Sequence, residues 1–537
     1  MKVIRRTKPL SLYGAVGLCA LSGVLLALCF PPAGLWFLAW VALVPWLVAL
    51  RTGSRWGAAI GSWVGGFAFL GVLLYWLALF GLSLWALGSV ALALWLLMWG
   101  VVARWTGRFG PVLRIVGAAV LWCGVEWARG LGQFGFTWGW LGQSQTPAVA
   151  VLPVVRVAGT MGLSFLIVLV NGAVAEAVVG VRRGESVFGW TARVVAAFGL
   201  AALAIFWATV WVEQQKEPAG PAIRVAVVQG SAHGPLHADE VNEPLTSEEQ
   251  RRTLDIYTAL TEQAGAERPV LVVWPESVLP GAPEEEPWIS ERVAEAARGS
   301  GAWLLAGGPH RDERGRPLNS AYLFSPSGHL RRRYDKVHLV PFGEYVPGRS
   351  WLPLLNRYDV RDEDFVPGLQ HEVIHAGTVA LGPMICFESI FPRISWKLAR
   401  DGAQVLVVIT NDAWFGRTAA AAQHRQMAVL RAVETNRWVL RAASTGISSI
   451  IAPDGRVVAE APPFERDWIS AEIQVAGAAS EGGEPERGVG WGPVFSWATL
   501  CLSLGFIVFS VVSPGGRRTR AARPSGGRRR RGRAAPR

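Results

Sequence analysis

The chain has 537 residues, 51% of them hydrophobic and 17% charged, with a formal net charge of +12. That balance is too apolar for a wholly soluble protein and too charged for membrane helices alone, and the length allows two or three domains. The charge does not point to nucleic acid: residues 517–537 hold ten Arg and no acid, which leaves the rest of the chain at +2. The tail, with its Gly, Pro and Ser, reads as a solvated disordered segment lying against anionic headgroups.

In chain order, the first 212 residues contain seven apolar stretches of roughly the 20 residues that cross a bilayer. They fall near 10–30, 35–50, 56–79, 82–102, 112–127, 160–181 and 194–212, and an eighth runs near 494–513. Basic residues recur at every second junction. Lys2, Arg5, Arg6 and Lys8 precede the first stretch, and Arg51 and Arg55 follow the second. Arg104, Arg108 and Arg114 follow the fourth, Arg182, Arg183 and Arg193 the sixth, and the Arg tail the eighth. By the positive-inside rule, eight spans put both termini in the cytoplasm. The expected organisation is a membrane domain (1–212), a large extracytoplasmic domain (213–493), an eighth span (494–513) and a cytoplasmic Arg-rich tail (514–537). The 27 Trp against 7 Tyr suit a protein anchored at bilayer interfaces.

Residues 213–493 read as α/β. Strand-like apolar runs occur at 224–228, 270–274, 303–306, 321–324, 379–385, 405–410, 439–442 and 448–451, with helical patterns at 247–264, 288–298 and 423–436. No zinc-type Cys/His cluster and no phosphate-cradling Gly-rich loop stands out, so neither metal nor cofactor is expected. Of five cysteines, Cys19, Cys29, Cys123 and Cys501 lie in apolar spans, leaving Cys386 alone in the soluble region without a disulfide partner.

Three segments follow or include an apolar run and carry a reactive side chain. Trp274-Pro275-Glu276-Ser277 ends a strand at a proline, which has no N–H for the ladder. Tyr334-Asp335-Lys336-Val337-His338 and Met384-Ile385-Cys386-Phe387-Glu388-Ser389 are the other two. In open α/β sheets, ligands bind where strands end. A thiol of ordinary pKa, about 8.5, is little ionised near neutrality. Glu276 can serve as general base to Cys386, and Lys336 can supply positive charge for the thiolate and for an oxyanion.

Together these segments resemble the nitrilase, or carbon–nitrogen hydrolase, superfamily, whose Glu, Lys, Cys triad has this chain order. Val225-Ala226-Val227-Val228-Gln229-Gly230 is similar to its opening strand, and Asn411-Asp412-Ala413-Trp414-Phe415-Gly416, Gln423-His424 and 431–437 also fit. With spans on both sides, the resemblance narrows to the apolipoprotein N-acyltransferases, and Phe30-Pro31-Pro32-Ala33-Gly34-Leu35-Trp36 and Glu126-Trp127-Ala128-Arg129-Gly130 are similar to that family. The resemblance implies an α-β-β-α sandwich on a multi-span helical bundle in a bacterial inner membrane, facing the periplasm. It implies Glu276, Lys336 and Cys386 as catalytic residues, Glu344 and Glu388 as supporting acids, and Phe387, Trp414, Phe415 and Tyr345 as candidates for the substrate pocket. Phe387 stands where the family often has Tyr, and no Trp occurs in 229–241, which contains His233 and His237.

The implied reaction is ping-pong acyl transfer. A membrane phospholipid donates an acyl chain to Cys386, and the thioester passes it to the N-terminal amine of a diacylglyceryl-modified apolipoprotein. A membrane-tethered amidase acting on a small amide, and a non-catalytic scaffold, are the alternatives. The apolar Trp351-Leu352-Pro353-Leu354-Leu355 is expected to dip toward the headgroups. Phe134, Phe136, Trp138 and Trp140 fit a lipid portal and an aromatic belt equally well.

Overall fold

The computed structural model describes residues 9–215, 219–231, 246–348, 363–476 and 489–512. The segments holding His233, His237, Trp351 to Leu355 and the Arg tail lie outside them. Among the described residues, six helices are long and apolar enough to cross a membrane: Arg55–Leu73, Leu82–Arg108, Pro111–Arg129, Pro153–Arg182, Val187–Gln214 and Gly492–Phe509. Leu12–Leu28 and Trp36–Thr52 are shorter apolar helices. The second of these is broken near Leu43, and the freed backbone finds a partner in Asn171. The Asn171 side-chain amide donates to Ala39 O at 2.8 Å, and its carbonyl oxygen accepts from Leu43 N–H at 2.9 Å. Irregular backbone at membrane depth is tolerated only with such internal partners.

Two helices differ from the hydropathy reading. The stretch expected to run to 79 is helical to Leu73 and then tightens into a 3-10 segment, Tyr75–Phe80. The stretch expected from 160 begins at Pro153 and bends at Gly159, whose φ of 68° and ψ of 179° interrupt the helix. Glycine alone takes that conformation without strain.

Between the last two long helices, the described residues form twelve strands in two six-stranded sheets. In chain order they are β1 (Ala219–Gln229), β2 (Leu271–Val273), β3 (Trp303–Arg311), β4 (Pro317–Phe324), β5 (Leu330–Asp335), β6 (Ile374–Ala376), β7 (Val379–Ile385), β8 (Val405–Thr410), β9 (Trp438–Ala443), β10 (Ser449–Ile451), β11 (Val457–Glu460) and β12 (Asp467–Ala476). The first sheet runs β12-β1-β2-β3-β4-β5 and the second β11-β10-β9-β8-β7-β6. Val225, Val227, Val273 and Leu305 of the first sheet meet Leu381, Ile385, Val405 and Val407 of the second in a buried core. Helices Ser247–Gly265 and Pro287–Ser300 cover the outer face of the first sheet through Tyr257, Ile289 and Val293. Helices Pro392–Arg400 and Ala420–Thr435 cover the second sheet through Ile394, Leu398, Met427 and Leu430. The result is the expected α-β-β-α sandwich.

The second helix layer continues without a break into the core of the bundle. Buried polar contacts fix the docking. Trp138 Nε1 donates to Gln423 Oε1 at 2.7 Å, and Gln423 Nε2 donates to Pro31 O at 2.9 Å. Thr137 Oγ1 donates to Ile390 O at 2.8 Å, and Thr160 Oγ1 to Glu434 Oε1 at 2.6 Å. Replacing Gln423 by Ala strips the buried Trp138 indole N–H of its acceptor. Leaving one such donor unpaired costs about 1–3 kcal/mol. A lowered melting temperature of the full-length protein in detergent, with the triad still reactive, is the expected result.

Candidate active site

Glu276 stands just past β2. Pro275 and a positive φ of 57° at Ser277 turn the chain away from the sheet. The turn lies so close to β3 that a Cβ at Gly307 would sit 2.6 Å from Glu276 Cα. Lys336 follows β5, with its N–H donating to Asn319 O at 2.8 Å and its carbonyl accepting from Gly368 N–H at 2.7 Å. Cys386 ends β7 with φ at 53° and leads into the 3-10 turn Cys386–Ile390. That left-handed backbone costs on the order of 1–3 kcal/mol at a non-glycine residue and persists only where its surroundings enforce it. Here Ser389 Oγ donates back to Cys386 O at 2.7 Å.

These three strand ends bring the sequence candidates together. Lys336 Nζ donates to Glu344 Oε1 at 2.9 Å and lies 3.6 Å from Glu276 Oε1, all three side chains being buried. Asn319 on β4 links the two acids, its Nδ2 donating to Glu276 Oε1 at 2.7 Å and to Glu344 Oε1 at 2.9 Å. The remaining carboxylate oxygens accept from backbone: Glu276 Oε2 from Asn411 N–H at 2.7 Å, and Glu344 Oε2 from Val340 N–H at 2.8 Å.

Burial opposes the Lys336 ammonium, but Glu344 and Glu276 outweigh it and hold the pKa well above the ordinary lysine value. Burial likewise opposes the Glu344 charge, and Lys336 prevails, keeping that carboxyl below its usual range. For Cys386, burial first and the Glu276 charge second push the thiol well above its ordinary value, against Lys336 and a hydrogen bond with Thr410. Burial and the neighbouring carboxylate thus favour the protonated thiol over the thiolate.

Glu388 is fully buried and ties the Lys336 segment to the Cys386 turn. Its Oε1 accepts from Val337 N–H at 2.8 Å and His338 N–H at 3.0 Å. Its Oε2 accepts from Ile385 N–H at 2.8 Å and Tyr334 Oη–H at 2.9 Å. Under the nucleophile lies a second polar network. Arg441 Nη2 donates to Asp412 Oδ2 at 2.7 Å and lies 3.1 Å from His424 Nδ1, and His424 Nε2 lies 2.9 Å from Ser389 Oγ. Burial lowers the His424 pKa, which keeps the ring neutral. Since Ser389 uses its proton on Cys386 O, a neutral Nε2–H tautomer completes a chain from Arg441 to the nucleophile's own carbonyl.

The pocket candidates divide. The Phe387 ring lies 6.3 Å from Phe136 of the bundle, and Phe415 lies 5.0 Å from Trp76 and 5.9 Å from Trp138. Trp414 stacks on Phe80 at 6.2 Å. Tyr345 is half-buried and accepts from Phe342 N–H through its backbone; among the described residues its ring makes no hydrogen bond or ring contact with the triad. Trp138 and Trp140 are buried between bundle and domain, which does not fit a belt of interfacial rings, whereas Phe134 is exposed. Asn319, Arg441, Trp76 and Phe80 were not singled out from the sequence. Asn319 had one visible signal, an amide inside an otherwise buried strand.

Residues 224–480 match the family model described as carbon-nitrogen hydrolase, and residues 22–173 match the apolipoprotein N-acyltransferase N-terminal domain. A relative named apolipoprotein N-acyltransferase from Geobacter metallireducens is 35% identical over 500 residues, covering 90% of this chain and 92% of that relative. The chain belongs to the apolipoprotein N-acyltransferase family. A second relative of that name, from Methylococcus capsulatus, is 34% identical over 362 residues, covering 66% of this chain and 68% of its own length. Among solved structures, an amidase from Nesterenkonia sp. is 21% identical with a TM-score of 0.36, covering 48% of this chain and 92% of that one. Family membership and the six apolar helices make the chain a multi-pass membrane protein.

Proposed function

We propose that this protein N-acylates the N-terminal diacylglyceryl-cysteine of lipoproteins, with a membrane phospholipid as acyl donor and Cys386 as the acyl carrier. The observation that carries the reading is the seat of the nucleophile. Cys386 interacts electrostatically with Glu276 and Lys336 of the buried cluster, and the next residue, Phe387, meets Phe136 of the bundle. The charged cluster and an aromatic contact with the bundle thus adjoin at one residue.

In the first half-reaction the Cys386 thiol passes its proton to Glu276 as the sulfur attacks the ester carbonyl. Lys336 stabilises the oxyanion, the acyl C–O bond breaks, and Glu276 returns the proton to the departing lysophospholipid alkoxide. In the second, the lipoprotein amine attacks the thioester carbonyl, the C–S bond breaks, and the amine's proton returns through Glu276 to the sulfur. Glu344 orients Lys336, and Glu388 holds the Lys336 segment against the nucleophile turn. The bilayer confines both lipid-anchored substrates near the site and so supplies proximity. Phe387 and Phe415 line the acyl path in this reading, with Trp414 and Tyr345 at its margin.

The basic junctions support eight spans with both termini in the cytoplasm and the α/β domain in the periplasm of a bacterial inner membrane. Residues 1–212 and 494–513 then form the membrane part and 213–493 the catalytic domain. Mass spectrometry of Cys386 after exposure to phospholipid micelles tests the chemistry. An acyl adduct discharged by a lipopeptide amine is expected; turnover of small amides with no adduct would make the protein an amidase instead. A Glu276→Gln variant should form the adduct roughly 100-fold or more slowly near neutral pH. The deficit should shrink in alkaline buffer, where hydroxide takes over deprotonation of the thiol.

A further inference from the structure

Five arginines converge at the end of the bundle away from the catalytic domain. On the helix Pro153–Arg182, Thr160 binds Glu434 of the α/β domain, while Glu176 lies 16 residues on and Arg183 caps the far end. At 1.5 Å per residue, these are about 24 and 35 Å from the docking contact. Arg51, Arg104, Arg108, Arg114 and Arg183 come from the ends of four helices and line one cavity of about 290 Å³, with Glu176 as the sole acid lining it.

The charges in this cavity do not cancel. Both Glu176 oxygens are taken by guanidinium groups, one by Arg51 and the other by Arg114 Nη2 at 2.5 Å. Arg104 Nη1 donates to Leu50 O at 2.5 Å, and the Arg108 guanidinium lies 3.6 Å from the Trp105 ring centroid. These contacts orient the side chains, and five arginines against one carboxylate give the lining residues a formal charge of +4. Arginines that only anchor helix ends splay singly toward headgroups. Here they face one another across a shared space, two of them clamped by the same carboxylate. Convergent guanidinium forks match the oxygens of a phosphate.

We propose that this cavity is a binding site for a net-anionic phosphate group, separate from the site that consumes phospholipid. The phosphate of an anionic phospholipid and free inorganic phosphate share the required chemistry. An occupant cross-links four helices of the bundle and so stabilises it. With the orientation argued above, the site faces the cytoplasmic leaflet, whereas Cys386 draws from the other; binding at the cavity does not depend on that orientation or on the acylation chemistry.

The test uses the full-length protein in uncharged detergent, with melting temperature and the number of phospholipids retained in native mass spectrometry as readouts. Phosphatidylglycerol micelles should raise the melting temperature by about 3 °C at saturating excess, with one lipid retained, and phosphatidylcholine should not. A comparable rise with inorganic phosphate at matched ionic strength, without a retained lipid, assigns the site to the free ion. The double variant R108Q/R183Q alters two solvent-accessible arginines. It should lose the shift while keeping its ligand-free melting temperature and its Cys386 acylation. If the double variant fails to fold, R183Q alone should weaken the ligand dependence roughly threefold. Equal shifts for both lipids, no shift in the wild type, or undiminished binding in the variants would overturn the proposal.

Discussion

A Cys386→Ala protein is expected to fold, dock into its bundle and transfer no acyl chain, with activity down by roughly 10,000-fold or more. The fold should survive because the change removes a single sulfur atom and β7 is held by its pairing with β8 over five residues, from Leu381↔Val405 to Ile385↔Ile409. What disappears is the sulfur proposed to carry the acyl chain from one substrate to the other. Loss of the adduct in mass spectrometry, together with an unchanged melting curve, is the decisive pair of results. Full activity in this variant would sink every reading that uses the triad. Cys386→Ser is the sharper companion. A hydroxyl is a far weaker acid than a thiol, so Glu276 and Lys336 as arranged cannot compensate, and the serine protein should be almost as inactive as the alanine one.

Glu388→Ala is expected to combine a large stability loss with a loss of turnover of at least roughly 100-fold. Three backbone N–H groups and the Tyr334 hydroxyl all point at this one buried carboxylate. Each buried donor left without an acceptor costs about 1–3 kcal/mol, and partial repacking keeps the total near 3–5 kcal/mol. The catalytic loss has a different origin. Glu388 fixes the Lys336 segment relative to the Cys386 turn, and misplacing a catalytic group by about 1 Å can cost 100-fold. A fall in kcat with little change in KM, measured well below the lowered melting temperature, separates positioning from unfolding. Glu388→Gln should rescue only partly, because its NH2 must face donors on one side.

The candidate site was more legible in the sequence than the scaffold around it. Glu276 and Cys386 stand just past the apolar strands β2 and β7, where an apolar run stops at a polar residue, and that signature survives in one dimension; Lys336, Glu344 and Glu388 were legible through the motifs around them. The eight strands read from the sequence are the interior strands of both sheets, buried on two faces and therefore continuously apolar. The four missed ones, β5, β6, β11 and β12, are the edges of the two sheets. Edge strands have a solvated side and carry charge, as Arg331, Arg332 and Arg333 do in β5. Arg441, Trp76 and Phe80 were silent for another reason. Their partners lie far away in the chain: Trp76 meets Phe415 only after the bundle and the domain have docked.

The way the domain is hung from its bundle has one more consequence. β1 begins and β12 ends at paired positions, Ala219 opposite Ala476, with the antiparallel ladder running from there to Gln229 opposite Asp467. The peptide therefore enters and leaves the sandwich through a single doorway at one edge of one sheet. To the membrane part, the entire enzyme amounts to a long detour between two adjacent points. In topology such an insert reroutes no helix, although its second helix layer shares a core with the bundle. A free-standing sandwich whose ends emerge side by side is already shaped for grafting into a membrane loop, which gives a simple structural route by which a soluble catalyst could have acquired lipid substrates.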